Sequence, residues 1–277
     1  MAAGAVAPMI LPRRLFGAEA PSNRITIGKK QAAPVQEIVE PSRRVAHAET
    51  KNILPNEISG VKTSLLWIPA GGHMDMKSPV DKQHICFVVE GTGQMKTASS
   101  EHDLIAKDLF AAQPATPTDF SATTSSTLLL IAMDLYPQEA ANPKTEIYPM
   151  VRRYAQCEKY RDYFKTPKTT SRTLVHPFTL PRFSMGSVET TGPDRIEPHA
   201  HPMLDQHFFS FGDNRCTLLV DGTRHSFGGN CLLHVPLGSE HGIDAAPGDV
   251  VNYLWIDFFA KSEDMEYLVK VHKPVNK

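Results

Sequence analysis

The apolar residues of this chain fall into short runs of strand length, separated by turn-forming clusters. Residues 63–68 are rich in β-branched, aliphatic and aromatic side chains, and Pro69-Ala70-Gly71-Gly72 turns the chain after them. Residues 84–89 form a second run that closes at Gly91. Residues 128–133 are apolar at every position, the pattern of a strand buried on both faces. The pattern lapses over 137–176, which read as a connection with a short helix at 158–164 and a polar loop at 166–172. It resumes at 183–188, 207–211, 217–221, 231–235 and 250–259. Ahead of the first strand, residues 32–60 contain Pro34, Pro41 and Pro55 without a sustained period, and are expected to run as an extended arm across the fold.

The two blocks of strands repeat. The turn that starts at Pro114 in the first block starts at Pro236 in the second, an offset of 122 residues. The run 84–89 meets 206–211 at the same offset, and 128–133 meets 250–255. Two similar all-β units, one behind the other, account for this.

The second unit carries the chemistry. His199 and His201 are two apart, so on a strand both imidazoles point to one face. His241 follows about 40 residues later, beside the turn Pro236-Leu237-Gly238. Three imidazoles gathered from two strands form a transition-metal site. The stretches Glu197–Gln206 and Pro236–His241 resemble the two motifs of the cupin superfamily, H-x-H-x(3,4)-E-x(6)-G and P-x-G-x(2)-H. The resemblance implies two tandem cupin (jelly-roll) antiparallel β-barrels, a bicupin, with one divalent metal held in the second. The expected division is an arm at 1–31, a first barrel at 32–145 and a metal-binding barrel at 146–277.

Where the family usually has Glu, this sequence has Gln206, whose amide oxygen can ligate as a neutral donor. Gln206 is the expected fourth ligand, and Asp205, at the shorter motif spacing, is the alternative. Pro202 is expected to break the strand ahead of them. Imidazole and oxygen donors admit Mn, Fe, Zn, Ni or Co. At the same offset the first unit has Lys77, Pro79, His84 and Asp119 in place of the ligands, so its barrel is expected to be metal-free.

Glu197 precedes the ligand pair by two and by parity points inward, as a candidate acid/base; a rim position is the alternative. Arg182 could clamp a substrate carboxylate or lie on the surface, and Tyr253 and Trp255 belong to the wall. His207, His234 and Glu240 are candidates to support the imidazoles.

Composition narrows the partners. A net charge of -1 gives no basic surface for nucleic acid or an anionic membrane. No run of 18 apolar residues is present to span a bilayer. The four cysteines, Cys86, Cys157, Cys216 and Cys231, form no C-x-x-C pair and read as core thiols; Cys216 and Cys231 lie on strands that could be neighbours. Residues 1–31, with Arg13-Arg14 and Ala18-Glu19-Ala20, resemble the tail of a twin-arginine export signal, which would direct the protein outside the cytoplasm; a disordered arm is the other reading.

The expected function is that of a metal-dependent enzyme acting on a small oxygenated molecule, a sugar acid or hydroxy-carbonyl compound, by isomerisation or a lyase reaction. An iron dioxygenase and a non-catalytic small-molecule-binding cupin are the alternatives. A homodimer is expected, as cupins often pair barrels.

Overall fold

The computed structural model describes residues 49–271. The signal-like segment and most of the proline-bearing arm lie outside them. Among the described residues the first half contains β1 (Glu49–Ile53), β2 (Val61–Ile68), β3 (His73–Met76), β4 (Lys82–Glu90), β5 (Thr92–Lys96), β6 (Glu101–Ile105), β7 (Leu109–Ala111), β8 (Thr118–Ala122) and β9 (Ser126–Asp134). Helix α1 (Pro137–Ala141) and strand β10 (Met150–Arg152) follow. The second half contains β11 (Lys159–Tyr160), β12 (Thr170–Leu180), β13 (Phe183–Thr191), β14 (Asp194–Ala200), β15 (Leu204–Ser210), β16 (Cys216–Val220), β17 (Thr223–Phe227), β18 (Leu232–Val235), β19 (Glu240–Ala245) and β20 (Val250–Phe259). Helix α2 (Asp264–Val271) closes it.

Each half stacks a six-stranded sheet on a four-stranded one. The orders are β1-β2-β9-β4-β7-β10 on β3-β8-β5-β6, and β11-β12-β13-β20-β15-β18 on β14-β19-β16-β17. The 122-residue repeat is thus a repeat of topology: β2 to β9 recur as β13 to β20, each starting within two residues of that offset. The connection between the halves contributes to both sheets. Met150 pairs with Ala111, so β10 extends the first sheet beyond residue 145. The segment expected to be helical at 158–164 instead supplies β11, whose Lys159 and Tyr160 pair with Arg172 and Ser171. A free sheet edge at β12 outweighs a weak local helical pattern there. Residues 49–53, the described end of the expected arm, also pair as a strand, against β2.

Side-chain alternation gives the sheets two apolar faces. In the first six-stranded sheet Leu66, Cys86, Val88 and Leu128 face Met95 and Phe120 of the four-stranded sheet. Their neighbours Leu65, Trp67, Phe87 and Leu129 face outward, into one continuous cluster with Phe183, Met185, Leu254, Ile256 and Phe258 of the second half. The molecule is therefore four sheets deep, and the two larger sheets pack back to back. This explains why 128–133 is apolar throughout: both faces of the strand pack against protein, with only Leu130 and Ala132 half-buried.

One polar clamp crosses the junction. Arg182, in the turn between β12 and β13, donates from Nε to Glu139 Oε1 (2.8 Å) and from Nη2 to Glu139 Oε2 (2.9 Å) and the Asp134 carbonyl (2.6 Å). Its guanidinium carbon lies 3.8 Å from the Tyr136 ring centroid. The arginine does grip a carboxylate, but one belonging to the first half, remote from the histidines. Both partners are nearly buried, so removing one leaves the other charge uncompensated. Arg182→Ala is expected to cost about 3–5 kcal/mol of stability in urea unfolding. A cost below about 1 kcal/mol would show that water replaces the clamp.

Candidate metal centre

The ligand face is built by three strands. Along β14 and β19 the register runs Ile196↔Ile243 and then His199↔His241, three steps on one strand against two on the other. This bulge inserts one residue into β14. Gly242 sits where it closes: a Cβ there would lie 2.7 Å from the Ile196 carbonyl oxygen and 2.9 Å from Pro198 N, so only glycine fits. The second motif is tied to the first at another glycine. Gly238 has φ +82, a conformation that favours glycine, and its N–H donates to the His201 carbonyl (3.1 Å). As Pro202 suggested, β14 stops at Ala200 and β15 starts at Leu204.

These constraints bring His199, His201 and His241 together. Their potential ligand nitrogens all lie within 4.8 Å of one another, and among the described residues no other group of His, Cys, Asp or Glu converges in this way. His201 and His241 are buried; His199 is half-buried and stacks on Phe164, ring centroids 4.0 Å apart. His199 Nδ1 is 2.9 Å from the Glu197 carbonyl, and His241 Nδ1 is 3.1 Å from the Ser239 carbonyl. A carbonyl can only accept, so each Nδ1 carries the proton and each Nε2 keeps its lone pair for an ion.

Gln206, on β15, lines the same cavity as the three histidines. Its Nε2 donates to Asp257 Oδ1 (2.7 Å), and Asp257 Oδ2 accepts from Ser184 Oγ (2.8 Å). A carboxylate accepts only, so Asp257 fixes which end of the amide is nitrogen. Gln206 Oε1 is left buried with no hydrogen-bond partner. An orphaned carbonyl oxygen lining the same cavity as the three histidines makes, with them, a donor set that fits a divalent ion. Asp205, the alternative, turns to the opposite face. Its Oδ1 lies 3.0 Å from His234 Nε2 and accepts from Leu237 N (3.1 Å).

No family model matches the sequence, and no curated protein matches it. Solved structures do match. A putative glyoxylate induced protein from Pseudomonas aeruginosa aligns with a TM-score of 0.64 at 10% identity, over 83% of this chain and 82% of that one. Oxalate decarboxylase from Lactobacillus farciminis, solved as a formate complex, aligns with a TM-score of 0.60 at 12% identity, over 78% and 85%. A cupin 2 conserved barrel domain protein from Leptotrichia buccalis aligns with a TM-score of 0.55 at 15% identity, over 77% and 89%. The fold is that of a bicupin. At these identities the likeness carries the fold, and the chemistry has to be read from the side chains.

The fold sends several expected site residues elsewhere. Glu197 is a correction. The bulge breaks the parity that would align it with His199, so its side chain is exposed and pairs with Arg195 (3.2 Å). Only its backbone serves the site. His207 and His234 face the junction of the halves rather than the imidazoles. His207 Nδ1 lies 3.4 Å from Thr63 Oγ1, and burial, helped by His234, pushes its pKa down to about 3. His234 Nδ1 lies 3.2 Å from Glu57 Oε2. Glu240 is exposed. Cys216 and Cys231 are free and belong to different layers, β16 in the four-stranded sheet and the approach to β18 in the six-stranded one. In the first half, Met95 and Phe120 are fully buried in the barrel interior, the space that the histidines border in the second.

Beside the histidines lies a cavity of about 340 Å³, walled by Phe164, Val188, Phe208, Ile243, Tyr253 and Trp255. Four polar residues in it, Tyr160, Asp162, Lys165 and Asp257, escaped the sequence reading. Tyr160 has its pKa raised well above the usual value, chiefly by burial. Lys165 is buried, and its Nζ donates to Asp162 Oδ2 (2.7 Å) and Ser171 Oγ (2.8 Å). Burial lowers the Lys165 pKa, with Asp162 opposing. Asp257 did leave a signal, as a lone charge within the apolar run 250–259.

Proposed function

We propose that this bicupin is a metal-dependent enzyme that isomerises or cleaves a small hydroxy-carbonyl compound. The observation that carries the reading is the buried Gln206 Oε1, which has no hydrogen-bond partner, on a residue that lines the same cavity as the three histidines and is oriented by Asp257. A divalent ion held by His199, His201, His241 and Gln206 would act as a Lewis acid on a carbonyl or enolate oxygen. All four donors are neutral, so the set leaves the ion's charge undiminished. The apolar and aromatic wall excludes water from the reacting molecule and favours a substrate with an apolar portion over a polyhydroxylated sugar acid. Proton transfer falls to a group facing the cavity, Tyr160, since Glu197 is not among the lining residues. The structural neighbours include oxalate decarboxylases, named for a small oxygenated acid.

The test is deuterium exchange. Untagged protein, assayed for metal by plasma emission, is incubated in D2O with a panel of hydroxy-ketones and hydroxy-acids. Label entering the carbon next to the carbonyl without oxygen consumption is the expected result. Turnover that occurs only with oxygen uptake would replace this reading with a dioxygenase.

A further inference from the structure

We propose that Lys165 anchors a carboxylate of the substrate, so that the cavity takes a small monocarboxylate with an apolar body. The inference deepens the proposed function and rests on its reading of the site. Lys165 is the only lysine or arginine among the described residues that line the cavity. An ammonium has three N–H donors. Among the described residues Lys165 Nζ spends two, on Asp162 and Ser171. The third meets no oxygen or nitrogen acceptor among the described residues; the buried ammonium otherwise faces the rings of Tyr160 and Phe164, each centroid 5.3 Å away.

The ion pair does not serve as a structural tie. Asp162 and Lys165 lie in one turn, closed by the bond from Lys165 N to the Asp162 carbonyl (3.1 Å), so the ion pair between them is itself local. Burying two charges at such a place costs more than a local link returns, unless the charge has another use. Asp162, by this argument, holds the ammonium charged and in place in a wall that would otherwise favour the neutral amine.

Charge balance sets the number of carboxylates. The buried charged residues lining the cavity are Asp162, Lys165 and Asp257, with Glu158 exposed at the rim. A divalent ion on four neutral donors, added to these, leaves one positive charge uncompensated. A monoanion cancels it, and the aromatic wall covers the rest of the molecule.

The probes are mandelate and its neutral amide, mandelamide, titrated calorimetrically into metal-loaded protein. Wild type is expected to bind mandelate at least tenfold more tightly than the amide. Lys165→Met should weaken mandelate at least tenfold, the range for a hydrogen bond to a charged group, and leave the amide within about twofold. Metal content should not change. Lys165→Gln, which keeps a donor toward Asp162, gives the same comparison should the first variant fail to fold. Equal affinities in wild type, no binding of mandelate, or undiminished mandelate binding in either folded variant would overturn the proposal. Failure of the metal reading shows separately, as wild type without metal, and the Lys165 comparison is then made on metal-free protein.

Discussion

His201→Ala is expected to leave the protein without bound metal. Close to one equivalent per chain in wild type should fall below a tenth of an equivalent by plasma emission. His201 is buried and belongs to a set of three imidazoles whose nitrogens converge within 4.8 Å. Losing a residue that merely supports a metal ligand lowers affinity roughly 10–100-fold, and losing the ligand itself should exceed that. The fold would register the same event. A ligand present at 1,000 times its dissociation constant stabilises the native state by about 4 kcal/mol. A chelator should therefore lower the wild-type melting temperature and leave that of the variant unchanged. Full metal occupancy in His201→Ala would mean that the ion sits elsewhere.

Gln206→Glu tests the neutrality of the donor set. The substitution places a second carboxylate at the position whose Nε2 now donates to Asp257 over 2.7 Å. Without metal, two buried carboxylates face each other; they share a proton at low pH and stand uncompensated once pH is high enough to ionise both. The metal-free variant is expected to lose about 3–5 kcal/mol, the range for an uncompensated buried charge. A divalent ion would supply the missing countercharge and restore most of that. The gap in melting temperature between metal-loaded and chelated protein should thus be wider than in wild type. Activity should drop by roughly 10²–10³, the typical cost of losing one electrostatic stabiliser of developing charge. Asp205→Asn is the contrast. It disturbs His234 and Leu237 on the opposite face and should leave the metal content unchanged. If Asp205→Asn strips the metal and Gln206→Ala does not, the ligand assignment is wrong.

Sequence patterning located the strands well because both larger sheets are apolar on two faces. Residues 250–259 coincide with β20 and 128–133 lie inside β9. The three histidines were also legible, since two sit on one short stretch and the third follows a turn whose glycine the backbone requires. Glu197 was misplaced because parity counts residues, and a bulge adds one without marking the sequence strongly; Pro198 and Gly242 are its only traces. Lys165 and Asp162 were hidden for a different reason. Their segment looks locally helical, and it is pairing of Lys159 and Tyr160 with β12, and of Lys165 with Ile196, that draws it to the cavity. Arg182 and Glu139 meet across 43 positions, a contact that no local pattern encodes.

The back-to-back packing of the two large sheets bears on how this protein tolerates change. Neither half can be expressed alone without presenting Trp67, Phe87 and Leu129, or Phe183, Ile256 and Phe258, to water. Such a surface invites aggregation rather than a soluble half-molecule. The first half, in which the histidine cluster has no counterpart among the described residues, acts in effect as a permanently attached partner for the second. A random-mutagenesis screen for lost activity would accordingly recover substitutions in β2, β4 and β9 alongside those at the histidines. Those distant hits would be recognisable by low abundance in cells, with normal activity per surviving molecule.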